Sequence, residues 1–207
     1  MKKFFVGLNF ILAFMIFLSA PVSAEEISGE KIPLRIARLP IIFQSGTPNE
    51  ETISKLEMKM SRAVHIPLNG TLKLVEYIDP DESLGELQKT FATVRAENRK
   101  AKFQDAVKPL AEILNADIVI CPVVMKYHEY VTGISGIIWE SQIFAAVEVG
   151  LTVYDKRTDE LIYKKCYRGY SGSTIYSGYA SFLADECFDK VIAETGLKQK
   201  IMAIKST

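Results

Sequence analysis

The sequence predicts a single α/β domain, a central mixed sheet of about five strands with amphipathic helices packed on it. Three observations carry this reading. Apolar residues at three- and four-residue spacing mark helices between segments that alternate every second residue. Residues 118–125, Ile-Val-Ile-Cys-Pro-Val-Val-Met, form an uncharged run of strand length, as expected of a strand covered on both faces. Residues 142–153 alternate cleanly, with Ile143, Ala145, Val147, Val149, Leu151 and Val153 on one face, which is the pattern of a strand with one apolar side.

The chain has 207 residues and divides by composition. Residues 1–24 read as a cleaved secretory signal peptide. Met1-Lys2-Lys3 supplies the positive start, Phe4 to Leu18 the apolar core, and Val22-Ser23-Ala24 the small-residue cleavage site before Glu25. The apolar core is shorter than the roughly 20 residues that span a bilayer, so a signal peptide is preferred over an anchor. No cysteine lies near the cleavage site, so a lipid anchor is not expected. Residues 25–33 read as a flexible lead-in and 34–207 as the domain. The predicted product is an exported protein, periplasmic or extracellular, with no stable membrane insertion after cleavage.

A first strand is predicted over Leu34–Phe43, with Pro40 placing it near an edge or at a bulge. A helix follows from Glu50 to Val64, its face made by Ile53, Leu56, Met60 and Val64 and its first turn acidic, as the helix dipole favours. Leu72–Ile78 is the second strand. The 81–100 stretch is helical, with Leu84, Leu87, Phe91 and Val94 as its stripe, and a helix over Lys102–Leu114 carries Pro109 as a kink. After the apolar 118–125 strand, residues 132–138 read as a glycine-containing connection. The alternating strand returns through the polar turn Asp155–Glu160 into a strand over Leu161–Tyr167. Residues 168–178, rich in Gly, Ser and Tyr, read as a loop. A last helix spans Tyr179–Glu194, with Gly196 as its C-cap.

Catalytic machinery is missing from the pattern. Only two histidines occur, and no Gly-x-Ser-x-Gly elbow, Cys-x-x-Cys or phosphate-loop motif, so no cofactor and no metal is expected. His65 reads as a helix C-terminal residue and His128 as a surface one. Cys121 and His128, seven apart on one strand, would face opposite sides. The carboxylate pairs Glu50/Glu51 and Asp81/Glu82 read as first-turn helix charges; an envelope hydrolase using paired carboxylates is the alternative they leave open. Without the signal's two lysines the chain carries 23 basic against 25 acidic residues, which argues against a nucleic-acid binder.

Three cysteines, Cys121, Cys166 and Cys187, are too few for a disulfide scaffold. One bridge, Cys166–Cys187, is the candidate pair in an oxidising compartment; three buried thiols acting as small apolar groups is the other reading. Two segments stand out as contact surfaces. Ile134, Ile137, Ile138 and Trp139 put large apolar groups, including the sole Trp, in and beside a connection. Tyr167, Tyr170, Tyr176 and Tyr179 are interleaved with Gly and Ser, which suits protein contacts or a small ligand or glycan.

The order of Leu114-Asn115-Ala116-Asp117 before an apolar strand, then Val149-x-Leu151-x-Val153-Tyr154-Asp155-x-x-Thr158 at a hairpin and a closing helix, resembles a group of periplasmic α/β domains. These are the curli-secretion lipoproteins, the lipoprotein activators of penicillin-binding proteins and the amino-terminal domain of the Tol–Pal propeller protein. The resemblance implies a non-enzymatic envelope protein that acts by binding envelope proteins, itself included as a homo-oligomer. It transfers no catalytic residue. The chain departs from the group in lacking the lipid-attachment cysteine. A transmembrane strand needs about 9–11 residues, so the Gly133–Trp139 connection cannot supply the strand pair of a pore.

Overall fold

The computed structural model describes residues 32–133, 141–173 and 175–203. Six strands form one sheet: β1 (Leu34–Arg38), β2 (Ile42–Phe43), β3 (Val75–Ile78), β4 (Ile118–Thr132), β5 (Gln142–Asp155) and β6 (Glu160–Ser173). Their order is β3-β1-β4-β5-β6, with β2 also beside β4. β1 is parallel to β3 and β4, whereas β4, β5 and β6 are antiparallel. The mixed sheet with packed helices is the predicted fold class.

Pro40 does not put β1 at an edge. It sits at a bulge, the other expected role: from Arg38 to Ile42 the chain takes four steps while β4 takes three from Ile120 to Val123, and the strand breaks there into β1 and β2. Leu39 N–H still donates to Ile120 O at 2.9 Å. The Ile41 N–H donates to Glu57 Oε1 at 2.6 Å, and Glu57 Oε2 pairs with Arg38 at 2.5 Å. A carboxylate therefore satisfies the donor that the interrupted ladder leaves over.

The helices are α1 (Glu50–Val64), α2 (Asn69–Leu72), α3 (Pro80–Glu97), α4 (Val107–Ile113), α5 (Ala180–Glu194) and α6 (Leu197–Ala203). α1 begins where Asn49 accepts the Thr52 N–H, and α3 where Asp79 accepts from Asp81 and Glu82. Glu50, Glu51, Asp81 and Glu82 lie in those first turns, the helix-start role read for them. The predicted strand over 72–78 is shorter, because Leu68 and Lys73 adopt left-handed backbone around α2. Asn69 then brackets Val75, donating to its carbonyl and accepting its N–H. Pro109 sits in the first turn of α4, after a 3-10 turn at Phe103–Ala106, where it removes no helical bond. α6 has no counterpart among the predicted helices.

The sheet separates two cores. On one face α1, α5 and α6 cover Ile36, Val147, Val149 and Leu151 with Leu56, Met60, Phe188 and Ile201. On the other, α3 and α4 cover Ala37, Val119, Cys121 and Tyr154 with Leu87, Val107 and Leu110. The alternation of β5 decides this: its odd residues enter the first core and Tyr154 the second.

The motifs behind the family resemblance are fastenings. Asn115 turns the chain at φ 46°, and Asp117 accepts the Arg35 N–H at 2.8 Å. Arg35 in turn donates to Leu114 O and Asn115 O. At the β5–β6 turn the buried Asp155 carboxylate takes three bonds from Arg157, from N, Nε and Nη2, at 3.1, 2.9 and 2.7 Å. Burial alone would raise the Asp155 carboxyl, but the Arg157 guanidinium outweighs it and holds the group below the usual range.

Candidate interaction surface

β4 carries an extra residue at Met125. Val124 stands opposite Val149 and Lys126 opposite Glu148, so two steps on β4 match one on β5. Such a bulge reverses which residues face which side. Before it, Val119, Cys121 and Val123 face the α3–α4 core; after it, Tyr127 packs on the α1–α5 core. Lys126, His128 and Tyr130 consequently share the side of Cys121. The expectation that Cys121 and His128 face opposite sides is thus corrected: the bulge puts them on one face.

On that face the strand ends form a grid. Across β4, β5 and β6 the rows are Lys126/Glu148/Tyr167, His128/Ala146/Gly169 and Tyr130/Phe144/Ser171. Small residues floor the middle row, and aromatic rings stand in the rows beside it. Tyr130 and Phe144 pair with centroids 6.1 Å apart. The result is a shallow, open groove of about 490 Å³. Tyr130 is 64% exposed, Tyr167 56% and Phe144 40%; α3 and α4 cover only the other half of this face, around Val119 and Tyr154. Lys126, His128 and the Lys165–Glu148 ion pair at 3.2 Å supply polar groups around the rings. His128 Nε2 also meets Ser45 Oγ at 3.3 Å.

The tyrosine segment is only partly a loop. Residues 168–173, read as loop, continue β6 to Ser173, and a 3-10 turn at Tyr176–Gly178 follows. Strand parity then splits the tyrosines. Tyr167 faces outward on the grid, its hydroxyl 3.1 Å from where a Cβ on Gly169 would lie. Tyr170 packs on the α1–α5 core, donates to Ser173 O at 2.9 Å, and lies against Gly178. Tyr176 is 73% exposed and stacks edge-on against Phe182 at 5.6 Å. Tyr179 precedes α5 without a side-chain cap; Glu129 of β4 reaches over instead, accepting the Ala180 N–H at 2.8 Å. Ile134, Ile137, Ile138 and Trp139 lie outside the described residues.

The face therefore unites Tyr167 with Tyr130, Phe144 and His128. Tyr130 and Phe144 do not stand out in sequence, because each is an ordinary apolar position of a strand pattern. Only the bulge, which has no sequence signature in Val-Val-Met-Lys, shows that they face outward together.

A second crevice, of about 470 Å³, lies at the carboxyl ends of β1 and β3, lined by Arg38, Ser61, His65, Tyr77 and Asp79. Its charged groups already serve the fold: Arg38 binds Glu57, and Asp79 caps α3. Among the described residues no group of three His, Cys, Asp or Glu side chains could hold a metal ion, and no helix is long and apolar enough to cross a membrane.

No protein-family model matches the chain, and no curated protein matches it. Among solved structures it is similar to a hypothetical protein of Chlamydia trachomatis, at 15% identity and TM-score 0.42 over 81% of this chain and 98% of that one. It is similar to a lipoprotein of Neisseria meningitidis, at 15% identity and TM-score 0.37 over 78% and 99%. The PelC dodecamer of Paraburkholderia phytofirmans aligns at 17% identity and TM-score 0.39 over 78% and 86%. All three scores are low, so the surface is defined by this chain's own residues and not by the likeness.

Proposed function

We propose that this chain is an exported envelope protein that works by binding another protein through the outer face of the β4–β5–β6 sheet, without catalysing a reaction. One observation carries the reading: the bulge at Met125 aligns Tyr130 with Phe144, beside Tyr167 and a floor of Ala146 and Gly169. Exposed rings on either side of a floor of small residues, interspersed with Lys126, His128 and Glu148, resemble protein interfaces, where aromatic residues are enriched and carry much of the binding energy. The leader-like residues 1–24 support export.

The test is site-specific photo-cross-linking in intact cells, with the probe placed at Tyr130, Phe144 or Tyr167. The same discrete adduct from all three positions is expected, and none from a probe at exposed Lys108 in α4. No adduct from the three face positions, or an equal one from Lys108, would defeat the assignment. The second copy of this chain is one identity the adduct can reveal by its mass.

A further inference from the structure

We infer that Cys166 and Cys187 form a disulfide in the exported protein, closing the tyrosine-rich segment between them into a covalent loop, while Cys121 stays a free thiol. This rests on the export reading above, because such bonds persist only in an oxidising compartment.

The placement carries the pairing. Cys166 lies on β6 and Cys187 on α5, both free thiols buried in the α1–α5 core, and beside them Arg168 of β6 pairs with Glu186 of α5 at 3.7 Å. Cys121 is buried in the α3–α4 core, on the opposite side of the sheet. Three thiols allow three pairings, and the sheet blocks the two that involve Cys121. The closed loop contains Tyr167, Tyr170, Tyr176 and Tyr179. It ties the edge strand that presents Tyr167 to the helix whose start Glu129 caps.

The chemistry balances with a protein disulfide as oxidant. One cysteine thiolate attacks it to give a mixed disulfide and a released thiolate. The second cysteine's thiolate then displaces the carrier's remaining sulfur. The chain gives up two protons and two electrons and gains one S–S bond; the carrier's S–S bond becomes two thiols. Burial, with the Cys166 contact acting in the same direction, pushes the Cys187 thiol up and away from thiolate. Both sulfurs are also buried in the complete fold, out of reach of a protein oxidant, so the bond enters while α5 is still undocked.

The protein is recovered from its own cells by fractionation, quenched in acid, unfolded, and alkylated with iodoacetamide. The expected result is one label, on Cys121, with a peptide joining residues 166 and 187; prior reduction gives three labels. Three labels without reduction on protein from the envelope fraction, or a bridge through Cys121, overturn the bond and leave export standing. Recovery in the cytoplasmic fraction instead overturns export, and a second arm then decides the bond. The purified protein, reduced, unfolded and refolded in a glutathione couple, is expected to regain the 166–187 link alone, and its Tm to fall by on the order of 5–10 °C on reduction. Scrambled links, or no link, overturn the bond wherever the protein was recovered.

Discussion

Gly178→Ala tests whether the tyrosine segment is packed structure. A Cβ at residue 178 would lie 2.5 and 2.6 Å from two carbons of the Tyr170 ring and 3.1 Å from Ile143 Cγ2. The ring cannot stay where it is. Its displacement breaks the hydrogen bond from its hydroxyl to Ser173 O, about 1 kcal/mol, and adds an overpacking cost of about 1–3 kcal/mol. The sum is a loss of about 2–4 kcal/mol, read as a lower urea midpoint at unchanged slope. Backbone strain contributes little, because Gly178 is not among the glycines with positive φ. A double-mutant cycle isolates the cause. With Tyr170→Ala in place the space is open, and Ala at 178 is expected to cost less than about 1 kcal/mol, leaving a coupling of at least about 1 kcal/mol. Additivity within about 0.5 kcal/mol would refute the claim that the ring rests on Gly178.

Two further outcomes are expected of side chains that hold distant elements together. Glu129→Ala removes the acceptor at the start of α5 and is expected to cost about 1 kcal/mol, with faster amide exchange over residues 180–183; Glu129→Gln keeps an acceptor oxygen and recovers most of it. Equal losses for Ala and Gln would show that the contact does not act as a cap. Asp155→Asn has a pH signature. Arg157 keeps the folded carboxyl below its unfolded value despite burial, so the stabilisation is complete above about pH 4 and disappears as pH falls through the folded value. The variant is expected to be about 1.5–3 kcal/mol less stable at pH 7, and the gap to narrow in urea melts at pH 3. A gap that stays constant across that range would refute the ion-pair account.

The parts of this fold that are legible in sequence are those where burial repeats with the period of the element. The bounds of α1 can be read because Leu56, Met60 and Val64 share a stripe and Asn49 supplies a cap. β5 can be read residue by residue because its odd positions enter one core. The departures have local causes. Pro40 signals a broken ladder but not its place in the sheet, since Glu57 can make an interior break tolerable. Gly169, Gly172 and their serines signal loop, yet β6 continues through them. There Tyr167 covers Gly169 and Tyr170 covers Gly172, each ring lying over the glycine two residues ahead on its own face. Aromatic cover of this kind makes strand glycines acceptable, but the pattern is visible only once the segment is known to be a strand.

That same parity separates structure from surface. Tyr167 and Tyr170 are three apart, an odd number, so a strand must send them to opposite faces. Tyr170 goes inward to Gly178 and the core, where it stabilises the fold; Tyr167 goes outward, where it remains 56% exposed. The bulge performs the matching operation on β4. It turns Tyr127 inward against the α1–α5 core and Tyr130 outward beside Phe144. Had β4 run without Met125 as an extra residue, the outward row would have held Tyr127 and Glu129, and Glu129 would have lost its reach to the Ala180 N–H. One inserted residue thus fixes both the cap of α5 and the aromatic row on the opposite side of the sheet. Pairing Met125 into the ladder opposite Glu148 would exchange the two faces together, which ties the surface proposed for binding to the packing of the helix behind it.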